Sequence, residues 1–83
     1  MPMVRKMMNV NKLSWEYIPE DIADQYRVSA DSVFAVGDKA DYIVAQAGTG
    51  WCCYVLLPFA EDEHYCSFQT MADAKAFAER REV

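Results

Sequence analysis

Tyr42-Ile43-Val44-Ala45-Gln46-Ala47, Gly48-Thr49-Gly50 and Trp51-Cys52-Cys53-Tyr54-Val55-Leu56-Leu57 form the stretch that decides the fold. Two apolar runs, rich in β-branched and aromatic residues, flank a short glycine-containing loop. Glycine supplies the positive φ of tight turns, so the pattern predicts a β-hairpin. In the second run both alternating sets are apolar. Trp51, Cys53, Val55 and Leu57 share one face, and Cys52, Tyr54 and Leu56 share the other. A strand apolar on both faces is central and covered on both sides. Pro58 closes the run, because proline cannot donate to a ladder.

Downstream, Glu61-Asp62-Glu63 reads as an acidic turn and Tyr65-Cys66-Ser67-Phe68 as a returning strand. Thr70 is an N-cap, with Asp73 three positions on as an imperfect capping-box partner. A helix is predicted over 71–81. Met71, Ala74, Phe77 and Ala78 make its apolar stripe, with Phe77 as the expected buried anchor. Asp73 complements the positive end of the helix dipole, and Arg80 and Arg81 the negative end.

Upstream, Leu13, Trp15 and Tyr17 alternate with polar neighbours and predict a short edge strand. Pro19 marks a helix start, with Glu20 and Asp21 in its first turn, and a short helix is expected over 19–26. Residues 28–36 read as a helix capped by Ser29 or as a strand from Ser32 to Val36. Residues 1–11 have no period and read as a mobile arm, or as an edge strand where something ties it down. The expected architecture is α+β in one domain, 1–83. It is an antiparallel sheet of three or four strands, with the C-terminal helix on one face and the short N-terminal helix over part of the other.

The chain has 83 residues, of which 53% are hydrophobic. A chain this long buries roughly 60–65% of its unfolded surface, which allows a modest core. No apolar run approaches the roughly 20 residues of a membrane helix. The N-terminal residues lack a secretory pattern, so the cytoplasm is the expected compartment. Three cysteines, an odd count, argue against a closed disulfide framework. A turn centred near Asp62 would place Cys66 opposite Leu57, away from Cys52 and Cys53. Reduced thiols are therefore expected.

Net charge is −5, unevenly spread. Between residues 13 and 74, eleven acids are opposed only by Arg27 and Lys39, a net of −9. An acidic body favours cationic partners and repels phosphate. Glu61, Asp62 and Glu63 are the expected partner-binding residues, followed by Glu20, Asp21 and Asp24, which also serve the dipole of their helix. The three consecutive acids lack the alternating spacing and glycine of a calcium loop.

Catalytic and metal readings are weaker. Cys52, Cys53, His64 and Cys66 are four potential zinc ligands, but the first pair is adjacent and splayed across a strand. No metal or other cofactor is expected. His64 and Cys66 share a strand face, yet no oxyanion-stabilising loop completes a thiol site. Gly48-Thr49-Gly50 lacks the Lys-Ser/Thr tail of a phosphate loop. No enzymatic constellation is found.

Ile22-Ala23-Asp24-Gln25-Tyr26-Arg27-Val28-Ser29-Ala30-Asp31-Ser32-Val33 resembles the helix-turn-helix signature of bacterial regulators, over 22–36. Ile22, Tyr26, Val28, Val33 and Val36 stand at its apolar positions and Ala23 at its small one. Arg27 occupies the turn position that usually holds glycine. The resemblance implies a small DNA-binding regulator reading bases through 29–36. That segment has no Lys or Arg and carries Asp31, which deprives it of phosphate-neutralising charge. In size, acidity and lack of catalytic motif, the chain is similar to the small accessory proteins of phages and mobile elements. Anti-CRISPR inhibitors are among these. The resemblance is one of class. It implies a non-catalytic inhibitor or adaptor of a basic, nucleic-acid-handling protein, in some cases by mimicking DNA. A homodimer that buries the second sheet face is a third reading.

Overall fold

The computed structural model describes residues 13–83, so the expected arm at 1–11 lies outside the described residues. The element order is β1 (Glu16–Tyr17), α1 (Glu20–Tyr26), β2 (Val33–Val36), β3 (Asp41–Ala47), β4 (Gly50–Leu56), β5 (Glu63–Phe68) and α2 (Met71–Arg81). All strand pairs are antiparallel, in the spatial order β1-β2-β3-β4-β5. The α+β class, the antiparallel sheet and both helices are as expected. The sheet has five strands, however, not three or four, because Val33–Val36 is a strand.

Two local effects decide that segment. The Ser29 hydroxyl accepts from the Asp31 amide (3.0 Å), so Ser29 closes a turn and does not cap a helix. The β-branched run that follows pairs with β3, Val33 opposite Val44 and Phe34 opposite Ile43. The second helix implied by the helix-turn-helix resemblance is therefore absent at 29–36. The short helix expected over 19–26 is present as α1. Pro19 is the N-cap of α1, one position earlier than the sequence suggests. Arg27 adopts φ 58°, and the Val28 amide donates to the Ala23 carbonyl (3.0 Å). This is a Schellman closure with arginine in the seat glycine favours.

The β3–β4 hairpin turns on Gly48-Thr49, with Gly48 at φ 61° and Ala47 paired with Gly50. That register places Tyr42, Val44, Cys53 and Val55 on one face, against Ala74 and Ala78 of α2. Ile43 and Ala45 face the other way, into a cluster with Ile18 and Ala23 that α1 completes through Ile22 and Tyr26. Tyr42, Ile43, Val44, Cys53 and Val55 have no exposed surface.

Helix α2 begins at Thr70, whose hydroxyl accepts from the Asp73 amide (3.1 Å). It meets the sheet through Ala74 and Ala78, both fully buried, so its backbone approaches closely. Phe77 is only half-buried. Its ring lies 4.8 Å from Tyr65 and 5.3 Å from Phe68, with the Arg81 guanidinium 5.8 Å away. The alanines let the helix sit low, which leaves the phenylalanine at its flank.

Just beyond α2, the Glu82 carboxylate reaches back to the β2–β3 turn. It accepts from the amides of Asp38 (2.7 Å), Lys39 (3.0 Å) and Ala40 (3.3 Å) and from the Tyr42 hydroxyl (2.6 Å). Lys39 Nζ also donates to the Val83 carbonyl (2.6 Å). Gly37 makes room for this contact: a Cβ there would lie 2.5 Å from Glu82 Cδ. Burial raises the Glu82 pKa, but the bonds from Tyr42, Lys39, Asp38 and Ala40 together outweigh it and hold the group below its ordinary value.

Two outcomes follow for stability. Phe77→Ala is expected to cost about 2 kcal/mol in denaturant unfolding, below the roughly 3–5 kcal/mol of a fully buried phenylalanine. Glu82→Gln tests the turn contact through pH. A carboxylate with a depressed folded pKa contributes stability above its unfolded pKa, and this is lost as pH falls through the folded value. Denaturation midpoints of the wild type should fall more steeply below about pH 4.5 than those of Glu82→Gln. Parallel curves would show that the carboxylate contributes nothing.

Candidate functional site

The acids singled out in the sequence have different surroundings. The β4–β5 turn is built by Pro58-Phe59-Ala60 and not by the acids, and Glu63 already pairs with Val55 inside the ladder. Glu63 is bound within the fold. It forms an ion pair with Arg81 (2.9 Å) and accepts from the Tyr65 hydroxyl (2.8 Å). That acceptor bond is the main reason the Tyr65 pKa is raised. Glu61 and Asp62 are exposed, as are Glu20, Asp21 and Asp24.

Tyr26 ties the two acidic segments together. Its hydroxyl donates to Asp62 Oδ2 (3.2 Å), across the gap between the end of α1 and the β4–β5 loop. Burial raises the Tyr26 pKa, with Asp62 and then Asp41 adding to the effect. Asp41 lies at this end with Asp62, while Asp24, half a turn before Tyr26, projects from another side of the helix. Glu20 and Asp21 start the helix, about 9 Å further along its axis. A cleft of about 430 Å³ opens here, with Asp38, Asp41 and Asp62 in its wall.

Phe59 projects from the same loop and is 99% exposed. The sequence reading passed over it. Its one signal was an aromatic residue directly after the strand-ending proline, where packing makes no demand for one.

The cysteines are arranged differently from the expectation. Because the turn centre lies near Phe59, three residues before Asp62, His64 pairs with Tyr54 and Tyr65 with Cys53. The register shifts between Trp51 and Cys53, and Cys52 meets Cys66 in a disulfide (Cα–Cα 4.0 Å). The expectation of three reduced thiols is corrected on this point. Cys53 remains free and buried, and burial pushes its thiol up to about 11. His64 Nε2 lies 2.9 Å from Cys66 Sγ, and its ring stacks on Tyr54 at 4.1 Å. A disulfide sulfur has no hydrogen, so the imidazole N–H is the donor. Cys52, His64 and Cys66 bring their sulfur and nitrogen atoms within 4.8 Å of one another, and the two sulfurs become metal donors only when the disulfide is reduced.

At the other end of the sheet, Trp15, Tyr17, Trp51 and Met71 wall a cleft of about 490 Å³. The Trp15 indole donates to Glu79 (3.2 Å), and Lys75 Nζ lies 5.7 Å over its ring. No helix among the described residues is long and apolar enough to cross a membrane. The chain matches no family model, no curated protein and no solved structure.

The disulfide gives a direct count. Air-equilibrated native protein should show no thiol reactive with an aromatic disulfide reagent at pH 8, because Cys53 is buried and protonated there. Denaturation without reductant should release one thiol per chain. Three thiols would restore the reduced reading.

Proposed function

We propose that the chain is a non-catalytic protein-binding module, a small acidic inhibitor or adaptor of a basic, nucleic-acid-handling protein such as a host-defence complex. The observation that supports this reading is Phe59, a fully exposed aromatic ring on the β4–β5 loop, followed by exposed Glu61 and Asp62, neither of which forms an ion pair among the described residues. An aromatic side chain contributes nothing to folding when it is wholly solvated. Aromatic anchors ringed by polar groups carry much of the binding energy of protein interfaces. Asp41 nearby and the exposed acids of α1 supply long-range attraction to a basic surface and a barrier to phosphate.

The same arrangement bears on the alternative of a DNA-binding regulator. The segment that would read bases is strand β2, and the exposed acids around α1 repel the backbone a reader must approach.

The test separates anchor from field. The immobilised chain is used to recover its partner from host lysate, and the partner's association is then measured at several salt concentrations. Phe59→Ala should change stability by less than about 0.5 kcal/mol, the usual surface scatter. It should weaken binding by about 1–2 kcal/mol, mostly through faster dissociation. Glu61→Lys with Asp24→Lys should slow association and flatten its salt dependence. Glu63 is left intact, because reversing it would set two cations together at Arg81. Unchanged binding in both variants would move the contact off this loop.

A further inference from the structure

Three donor side chains converge on the sheet face opposite α2. Cys52 comes from β4, and His64 and Cys66 come from β5, two residues apart and therefore on one side of the strand. Their donor atoms all lie within 4.8 Å of one another. The ladder shifts by one step beside Cys52, and such a bulge re-aims the side chains next to it. Stacking on Tyr54, directly opposite His64, fixes the plane of the imidazole with Nε2 turned to the sulfur. Cys52 is buried, while His64 and Cys66 face solvent. The cluster therefore has a rigid floor and an open mouth.

We infer that Cys52, Cys66 and His64 form a redox-gated zinc site, closed as the disulfide and opened by reduction to hold one Zn²⁺ through two thiolates and an imidazole. Two sulfurs and one nitrogen form a donor set suited to this ion. Tetrahedral zinc needs bonds of about 2.3 Å to sulfur and about 2.0–2.1 Å to nitrogen, which sets its ligand atoms roughly 3.5–3.8 Å apart. The donor atoms, on two adjacent strands and within 4.8 Å of one another, are already close to that spacing. The fourth position, on the exposed side, falls to water or to a group from another molecule.

The chemistry balances in two steps. A dithiol reductant gives two electrons and two protons to the Cys52–Cys66 bond and leaves as its own disulfide. Zinc then binds both sulfurs and His64 Nε2, and the two thiol protons pass to solvent. Cys53 takes no part: it points to the other face, beneath α2. The inference is independent of the partner-binding reading, since the cluster and the Phe59 loop share no residue.

The experiment uses the whole chain, Zn²⁺ as the probe and Co²⁺ as its coloured substitute. A phosphine serves as reductant, because a dithiol would itself compete for metal. Circular dichroism is recorded at each stage. Reduced protein should bind one equivalent of Zn²⁺ by native mass spectrometry, and Co²⁺ should give a sulfur-to-metal charge-transfer band. Oxidised protein should bind none. Cys66→Ser and His64→Ala, both at exposed positions, should each weaken binding by roughly tenfold or more. Cys53→Ala should not. Absence of a stoichiometric complex with the reduced chain would overturn the proposal. So would equal binding by the oxidised chain, or by Cys66→Ser and His64→Ala. A chain that unfolds on reduction and is not restored by zinc would overturn it as well.

Discussion

Strands β3 and β4 are apolar on both faces, and the rest of the chain is arranged to keep water off both. A two-sided strand pair has no solvent face to offer, so two separate covers are needed. Helix α2 supplies one by laying Ala74 and Ala78 on Tyr42, Val44, Cys53 and Val55. The other is assembled from smaller parts: Ile18, Ala23 and the flanks of α1 over Ile43 and Ala45. The second cover ends before β5, and that shortfall leaves His64 and Cys66 in solvent on the outer strand. The exposed half of the cysteine cluster is thus a by-product of a helix only seven residues long.

The acids divide into those the fold uses and those it leaves free. Glu82 collects three backbone amides and a phenol, Glu63 holds Arg81, and Glu79 accepts from Trp15. These three carboxylates dock α2 and the residue after it onto the sheet and the β2–β3 turn. Asp24, Glu61 and their neighbours have no cation opposite them among the described residues. An unpaired exposed carboxylate adds little to stability, so the fold itself makes no demand for these acids.

Most of the sheet was legible in the sequence, because period-two patterning and a glycine turn are strong local signals. The face assignments of residues 51–57 needed nothing else. The capped helix 71–81 was equally plain. Residues 28–36 were ambiguous, because Ser29 serves a turn and a helix cap equally well and only pairing with β3 decides between them. The larger failure was at Glu61-Asp62-Glu63. Acidic residues mark turns statistically, but here proline and the two residues after it make the bend. An error of three residues in the turn centre displaced Cys66 from Cys52, and with it both the disulfide and the metal-competent cluster. The acids proposed for partner binding stand out by charge alone, which cannot tell Glu63, committed to Arg81, from Glu61. Phe59 escaped notice because an aromatic residue in sequence reads as core until its exposure is known.

The Glu82 contact spans 44 residues to Asp38, in a molecule whose strands otherwise pair only with their neighbours in sequence. A meander can zip up by short loop closures, each of which costs little entropy. The β2–β3 turn cannot be finished in that way. Its amides keep their water until α2 has formed and swung its far end across the sheet. On a chain emerging from the ribosome, the five strands can thus register before the carboxylate that satisfies the amides of the turn between the second and the third has been made. The last polar groups of the β2–β3 turn thus depend on the far end of the chain, 44 residues away, and not on the strands they join.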